Sequence, residues 1–396
     1  MKRIFFSIIL TFLFFFTLSA SDQPADTTVY LITCASGNEL YSLWGHSALR
    51  VIIPSSKFDM VYNWGVFDFN TPNFAWKFAK GRLDYMLGVY SYDLFIRDYF
   101  MENRSVISQR VNLTEVEKLR LMILLNENMK PENRNYRYDF LYDNCSTRIR
   151  DIMEKLIGDK LIYPPDEPQH TATFRDQIGI YTKSAPWTKM GIDLLLGTPV
   201  DKQASFRGKM FLPNDLQRNL TSAIINRDRK MNPLLSSSET LLDFPSQEVK
   251  APLYSSPIVV FAILFILVVF LSARFSISSF MTYIDIALFL IFSIIAVIMV
   301  FFGFFTDHVE TRLNLNILWF NPFLLLCLWC VIKGKKETLW FRIVFYAGLI
   351  FLPVLIIVPG ALNPSFLPVI LILLLRSSAR AGFSWNPFST AYIQKD

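Results

Sequence analysis

The stretch Tyr138–Gly158, YDFLYDNCSTRIRDIMEKLIG, decides how the rest of the chain is read. After Cys145 the apolar residues Ile149, Ile152, Met153, Leu156 and Ile157 recur at helical spacing, which predicts one buried helix face with Gly158 as its C-terminal cap. Counting back four from Ile149 puts Cys145 on that buried side in the first turn, with Asp143 or Asn144 as N-cap. A thiol there feels the positive end of the helix dipole and unpaired N–H groups, which lower its pKa and favour the nucleophilic thiolate. The same N–H groups can hold a developing oxyanion. Taken alone, a buried cysteine in a packed helix is only a small core residue, so the surrounding chain has to decide.

Composition places part of that chain in lipid. Over 396 residues, 52% are hydrophobic and the mean hydropathy is +0.33, too apolar for an ordinary soluble protein. Residues 1–20 combine Lys2 and Arg3, an apolar run from Ile4 to Leu18, and small residues ending at Ala20; this reads as a secretory signal peptide, with an uncleaved anchor as the alternative. Residues 21–234 have the mixed composition of an exported domain, 235–254 read as a linker, 255–380 as a membrane domain and 381–396 as a cytoplasmic tail. Candidate spans are 256–273, 284–305, 317–332, 339–358 and, more weakly, 366–375. With the domain outside, Arg274, the 333–336 loop, and a tail holding Arg376 and Arg380 fall on the cytoplasmic side, in keeping with the positive-inside rule for five spans. Export argues against nucleic acid as the partner of the +6 net charge; the basic residues sort topology or touch anionic lipid.

Within the exported part, Val29 to Thr33 reads as a strand. From His46 onward the alternation predicts another, with His46, Ala48, Arg50 and Ile52 on one face and Ser47, Leu49, Val51 and Ile53 on the other. A turn at 54–57 returns the chain over Asp59 to Val66 and brings Asn63 to the face of His46, a placement that a one-residue slip would reverse. The aromatic run between Phe67 and Tyr99 predicts core, with a greasy groove or membrane-facing surface as the alternative. Arg104 to Val111 predicts a strand, and Asn112 to Glu115 a helix start leading into 117–129. Residues 164–250 read as loop-rich, with His170 in a loop and a short helix over 187–197. The polar outer loop 306–314, which contains His308, either joins the site or is simply hydrated.

Acyl transfer through a thiol needs a base within hydrogen-bond reach and a group to orient that base. The exported part has His46 and His170, and a buried strand histidine such as His46 calls for paired nitrogens. His46 and Cys145 are therefore the candidate dyad. A Cys34–Cys145 disulfide is the rival expectation for an oxidising compartment. Cys327 and Cys330, in an apolar segment without the polar setting of a zinc or redox site, read as lipid-facing or as interhelical packing.

The blocks Leu40 to Arg50 (LYSLWGHSALR), Tyr62 to Gly65 with Phe67-Asp68-Phe69, and Asp143 to Arg148 (DNCSTR) resemble the N-terminal periplasmic domain family named after the Lnb lipoprotein N-acyltransferase of Bacteroides-type bacteria. The likeness covers most of Val29 to Phe211, and the multi-span tail resembles that of the full-length transferase. The histidine-before-cysteine order is similar to circularly permuted NlpC/P60-like, papain-like thiol enzymes. The resemblance implies an α+β exported domain of that permuted type followed by an α-helical domain of about five spans, held in the bacterial inner membrane with the catalytic domain periplasmic. It implies acyl transfer without metal, ATP or other cofactor: a phospholipid donates an acyl chain to Cys145 as a thioester, and the α-amine of a diacylated lipoprotein's N-terminal cysteine accepts it. In that scheme His46 is the base and Asn63 its orienting partner, with Asp59 as substitute, while Tyr41, Arg50, Asn144, Arg148 and His308 bind substrate or shape the site. Two other functions use the same residues differently: a membrane-anchored cysteine peptidase or amidase of the cell envelope, and a non-enzymatic envelope receptor or assembly factor.

Overall fold

Residues 26–165, 172–245, 252–275, 278–335, 337–357 and 363–383 are described by a computed structural model of the chain. The expected signal peptide, His170 and most of the expected tail lie outside these residues. Strands β1 (Thr28–Cys34), β2 (His46–Ile53), β3 (Phe58–Val66), β4 (Asp84–Ser91), β5 (Val106–Arg110) and β6 (Asn135–Arg137) belong to one sheet. β7 (Leu161–Ile162), β8 (Ile224–Arg227) and β9 (Lys230–Pro233) form a second, smaller one. β10 (Glu239–Leu242) returns to the first, whose order is β10-β5-β1-β2-β3-β4-β6 with antiparallel neighbours throughout. The helices of the exported domain are α1 (Phe74–Ala79), α2 (Tyr92–Met101), α3 (Glu115–Met129), α4 (Cys145–Ile157), α5 (Phe174–Ile180), α6 (Pro186–Leu195) and α7 (Pro213–Thr221), besides two single-turn pieces.

The central strands are covered on both faces, which is why their residues alternate between two cores rather than between core and water. Leu49, Val51 and Ile53 pack with α3, α4 and α7, whereas Ala48 packs with Ile32, Cys34, Val61 and Val106 beneath Phe95 of α2. The tight turn after β2 places Lys57 at φ 53°, and the hairpin pairs Leu49 with Tyr62 and Arg50 with Val61. That register keeps His46, Arg50, Asp59 and Asn63 on one face.

Two sequence expectations fail in this domain. Residues 235–254 are not simply a linker: β10 pairs with the edge of β5, and the Phe244 N–H and C=O are both held by Ser105 Oγ, at 2.9 and 3.0 Å. Residues 164–250 likewise carry α5 to α7 and two of the three strands of the second sheet. Short elements flanked by Ser, Pro and Asn carry too little periodicity to separate from loop, yet pairing with an existing strand edge satisfies their backbone.

Beyond residue 252, α8 (Pro257–Phe275), α9 (Ser279–Phe304) and the segment Leu315–Lys333, which contains α10 (Phe323–Ile332), are each long and apolar enough to cross a membrane. α11 (Leu339–Ile357) and α12 (Phe366–Arg380) complete the bundle among the described residues. Ile263, Ile266, Phe270, Ile291 and Ile294 face outward, an arrangement that suits lipid rather than water. Arg376 and Arg380 are not tail residues. From α12 both donate to the buried Asp285 of α9, Arg376 through Nε and Nη2 at 2.6 and 2.9 Å and Arg380 through Nε at 2.6 Å, and Arg376 Nη1 also reaches Ser272 Oγ of α8 at 2.8 Å. A lone charge inside the bundle is strongly disfavoured, so the carboxylate and guanidinium groups gather and tie three helices together. Cys327 and Cys330 are buried free thiols in the packing of α10, the interhelical rather than the lipid-facing of the two placements expected.

Candidate active site

Cys145 is the first residue of α4, and the N-cap is Asn144. The Asn144 side-chain oxygen accepts the N–H groups of Ser146 and Thr147 at 2.8 and 2.9 Å, and its amide nitrogen donates to the carbonyls of Phe140 and Phe211 at 2.6 and 2.9 Å. With Thr147 Oγ1 returning the Asn144 N–H at 2.7 Å, the start of the helix is fixed from both directions. Asn144 thus positions Cys145 from behind, and the amides of Ser146 and Thr147, expected as oxyanion donors, are already taken. Ile149, Met153, Leu156 and Ile157 anchor the buried face of α4 against the sheet.

His46 opens β2 at the end of the sheet. Gly45 before it has φ +81°, and a Cβ there would lie 2.6 Å from the Cys34 carbonyl oxygen, so no side chain fits beside the turn into His46. His46 Nε2 is 3.0 Å from Asn63 Oδ1. An amide oxygen only accepts, so Nε2 carries the proton and Nδ1 is left for Cys145. Arg50 and Asp59, four residues further from the site on each strand, make the corresponding pair at 2.7 and 2.6 Å. Asp59 is therefore engaged by Arg50 and does not orient His46.

The electrostatics follow from these neighbours. Burial acts to raise the Cys145 pKa, but the charge and hydrogen bond of His46, the Ser47 backbone N–H and the Ser146 hydroxyl outweigh it and hold the thiol below its usual range. Burial acts to lower His46, but the charge and hydrogen bond of Cys145 and the hydrogen bond of Asn63 outweigh that and raise it. The two directions describe one coupled pair, in which each group favours the charged form of the other. Cys34, the cross-strand neighbour of His46, is a free thiol like Cys145, so the disulfide is not formed.

Cys145, His46 and Asn63 line a cavity of about 910 Å³. Much of its wall is aromatic: Phe67, Phe69, Phe74, Phe78, Tyr85 and Tyr99 all face it. The run expected as core is in large part the lining of a groove, while Trp76 leaves it to stack on Phe301 of α9 with ring centroids 5.5 Å apart. Tyr41 sits at the wall edge-on to Phe67. Arg50 and Arg148 are not part of the lining. Arg50 lies over the Tyr92 ring as well as pairing with Asp59, and Arg148 lies 3.5 Å over Tyr136 while donating to Asp143 at 2.6 and 2.8 Å. Both guanidinium groups are thus spent on structure.

The membrane domain completes the wall through Phe302, His308, Glu310 and Thr311. His308 Nε2 lies 3.1 Å from the Phe78 carbonyl, so the histidine seats the outer loop on α1 rather than approaching Cys145 as a partner. The loop is held by backbone as well: Asp307 N–H donates to Lys80 O at 2.9 Å and Gly197 N–H to Glu310 O at 2.7 Å. At Gly197 a Cβ would lie 1.8 Å from the Arg312 carbonyl oxygen, so this seam closes only around glycine. Sequence reading missed Glu310, Ser47 and Ser146. None stands in a spacing that marks it, and the loop polarity around His308 was the one available signal for Glu310.

Residues 16–173 match the Lnb N-terminal periplasmic domain, and residues 248–384 match the Lnb transmembrane domain. Comparison with curated proteins and with solved structures gives no significant match. The first match spans both the strand bearing His46 and the start of α4, and the second spans the bundle whose outer loop closes the cavity. The chain belongs to the Lnb-type family, as a membrane-anchored protein with a periplasmic N-terminal domain and a C-terminal transmembrane domain.

Proposed function

We propose that the protein is a lipoprotein N-acyltransferase of the bacterial inner membrane, moving a fatty acyl chain from a phospholipid through a Cys145 thioester to the α-amine of a lipoprotein's diacylglyceryl cysteine. The observation that carries this reading is the placement of a thiol, an imidazole and an amide along an aromatic cavity whose wall is shared with the membrane domain. The histidine-before-cysteine order fits a permuted NlpC/P60-like exported domain. In the first half-reaction the Cys145 thiolate attacks an ester carbonyl of the phospholipid, and the His46 imidazolium gives its proton to the departing lysophospholipid oxygen. Asn63 holds the ring with Nδ1 toward the sulfur. The Cys145 N–H is the first-turn donor that Asn144 leaves for the oxyanion. In the second half-reaction the acceptor amine displaces the thiolate. The thioester retains acyl-transfer potential, so the scheme calls on no metal or ATP.

A peptidase acting on polar cell-wall peptide has little use for such a lining, since most of this wall cannot hydrogen-bond. Purified full-length protein incubated with phospholipid vesicles should gain the mass of one acyl chain on Cys145, removable by hydroxylamine. A protein that cleaves phospholipid or peptide yet never carries the chain would refute the scheme. In cells lacking other transferases, Cys145→Ser should abolish lipoprotein N-acylation.

A further inference from the structure

Among the described residues three carboxylates stand along the cavity, and they differ in setting. Asp98 and Glu102 are exposed, and Glu102 is paired with Arg104 at 2.8 Å. Glu310 comes from the membrane domain and is buried, with 7% of its surface exposed. Its Oε1 accepts the Phe140 N–H at 3.1 Å, and its own carbonyl accepts the Gly197 N–H. An ionised carboxylate accepts about four hydrogen bonds, so this anchoring leaves capacity for a donor in the cavity. The anchor also fixes its distance from the nucleophile: the Phe140 carbonyl is bound by Asn144, which caps the helix that Cys145 begins.

This second acidic group answers a chemical need that the Cys145–His46 pair leaves open. The acceptor is an α-amine, protonated at neutral pH and unable to attack while it is an ammonium ion. His46 can take one proton in the second half-reaction, but an ammonium must lose two to become a secondary amide. We propose that Glu310 receives the ammonium of the acceptor and takes its first proton, so that the membrane domain supplies a catalytic residue for the amine-transfer step. R–NH3+ gives one proton to the Glu310 carboxylate. The resulting R–NH2 attacks the thioester carbonyl, forming the C–N bond; the adduct loses its second proton to His46, and the C–S bond breaks to release the Cys145 thiolate beside the new imidazolium. The Glu310 carboxylic acid then returns its proton to water. Burial and the nearby Asp139 raise the Glu310 pKa, against the pull of its own N–H, His308 and the Phe140 N–H, which makes it a better proton acceptor than an exposed carboxylate.

The inference rests on the acyltransferase reading, and separating the half-reactions tests the two independently. Full-length wild type and Glu310→Gln, which keeps an oxygen for the Phe140 N–H, are loaded with acyl chain from phospholipid vesicles and then mixed with a synthetic diacylglyceryl-cysteinyl peptide. The variant should acylate Cys145 at the wild-type rate and transfer to the peptide about 10²-fold more slowly, the usual size of a lost acid–base group. Hydroxylamine, a neutral nucleophile, should discharge both acyl-enzymes equally. Transfer to the peptide at the wild-type rate, or acylation and transfer falling together, would overturn the role of Glu310 and, in the second case, leave it as a positioning residue for α4. Absence of any thioester on wild type would instead overturn the acyltransferase reading itself.

Discussion

Cys34 and Cys145 are both buried free thiols, and both adjoin His46, one across the strand and the other across the cavity wall. Their chemistry diverges. Burial pushes Cys34 up to about 12, with the Arg104 charge and a Tyr99 hydrogen bond offsetting only part of that. Cys145 moves the other way because the His46 ring, the Ser47 N–H and the Ser146 hydroxyl converge on its sulfur. Depth is shared, so it does not explain reactivity; what differs is how many donors are aimed at the sulfur. The helix terminus contributes less than its position suggests, since Asn144 already occupies two of the first-turn amides.

The contrast can be broken in stages. Cys145→Ala should eliminate acyl-adduct formation from phospholipid altogether while Cys34→Ala leaves it within a few-fold, both read by intact mass; an adduct surviving on the first variant would point to another nucleophile. Iodoacetamide labelling across pH should separate the thiols almost as widely. Lowering a thiol pKa keeps the thiolate present to lower pH, so Cys145 should label at pH 7, where Cys34, pushed far up by burial, should stay silent. Loss of the imidazolium in His46→Ala should slow Cys145 labelling at pH 7 by about 10²-fold and shift its profile toward alkaline pH. An unchanged profile would show that His46 is not the counter-charge. Asn63→Ala removes one hydrogen bond, worth about 1 to 1.5 kcal/mol, and should cost about tenfold in acylation rate with little change in melting temperature. If Asn63→Ala unfolds the domain instead, its role is structural.

Much of this site is legible in sequence because its geometry is local or periodic. Strand alternation places His46 with Arg50, a four-residue turn then fixes Asn63, and helical spacing together with a capping residue puts Cys145 in the first turn of α4. Arg50 and Arg148 show the limit of such reading: a basic residue near a motif suggests anion binding, but only the fold reveals Asp59 and Asp143 already holding them. The aromatic run was ambiguous in kind, because a ring facing a groove and a ring filling a core have the same periodicity. Glu310 is beyond local inference, since it meets Phe140 across 170 residues of chain. The same holds for Asp285 and Arg376, whose contact turns expected tail residues into part of the bundle.

The hydrogen bond from Phe140 to Glu310 has a consequence for the order in which the molecule becomes functional. A chain made from its N-terminus delivers the strand of His46 and the helix of Cys145 first, and the outer loop between α9 and α10 later. Until α8 and α9 have threaded the bilayer and turned back, the cavity lacks Phe302, His308 and Glu310, and its aromatic wall stands open on the side they will occupy. Enclosure of Cys145 is thereby tied to the membrane part of the same chain: the helix and strand that carry Cys145 and His46 come first along the chain, and the loop that completes the cavity wall comes later.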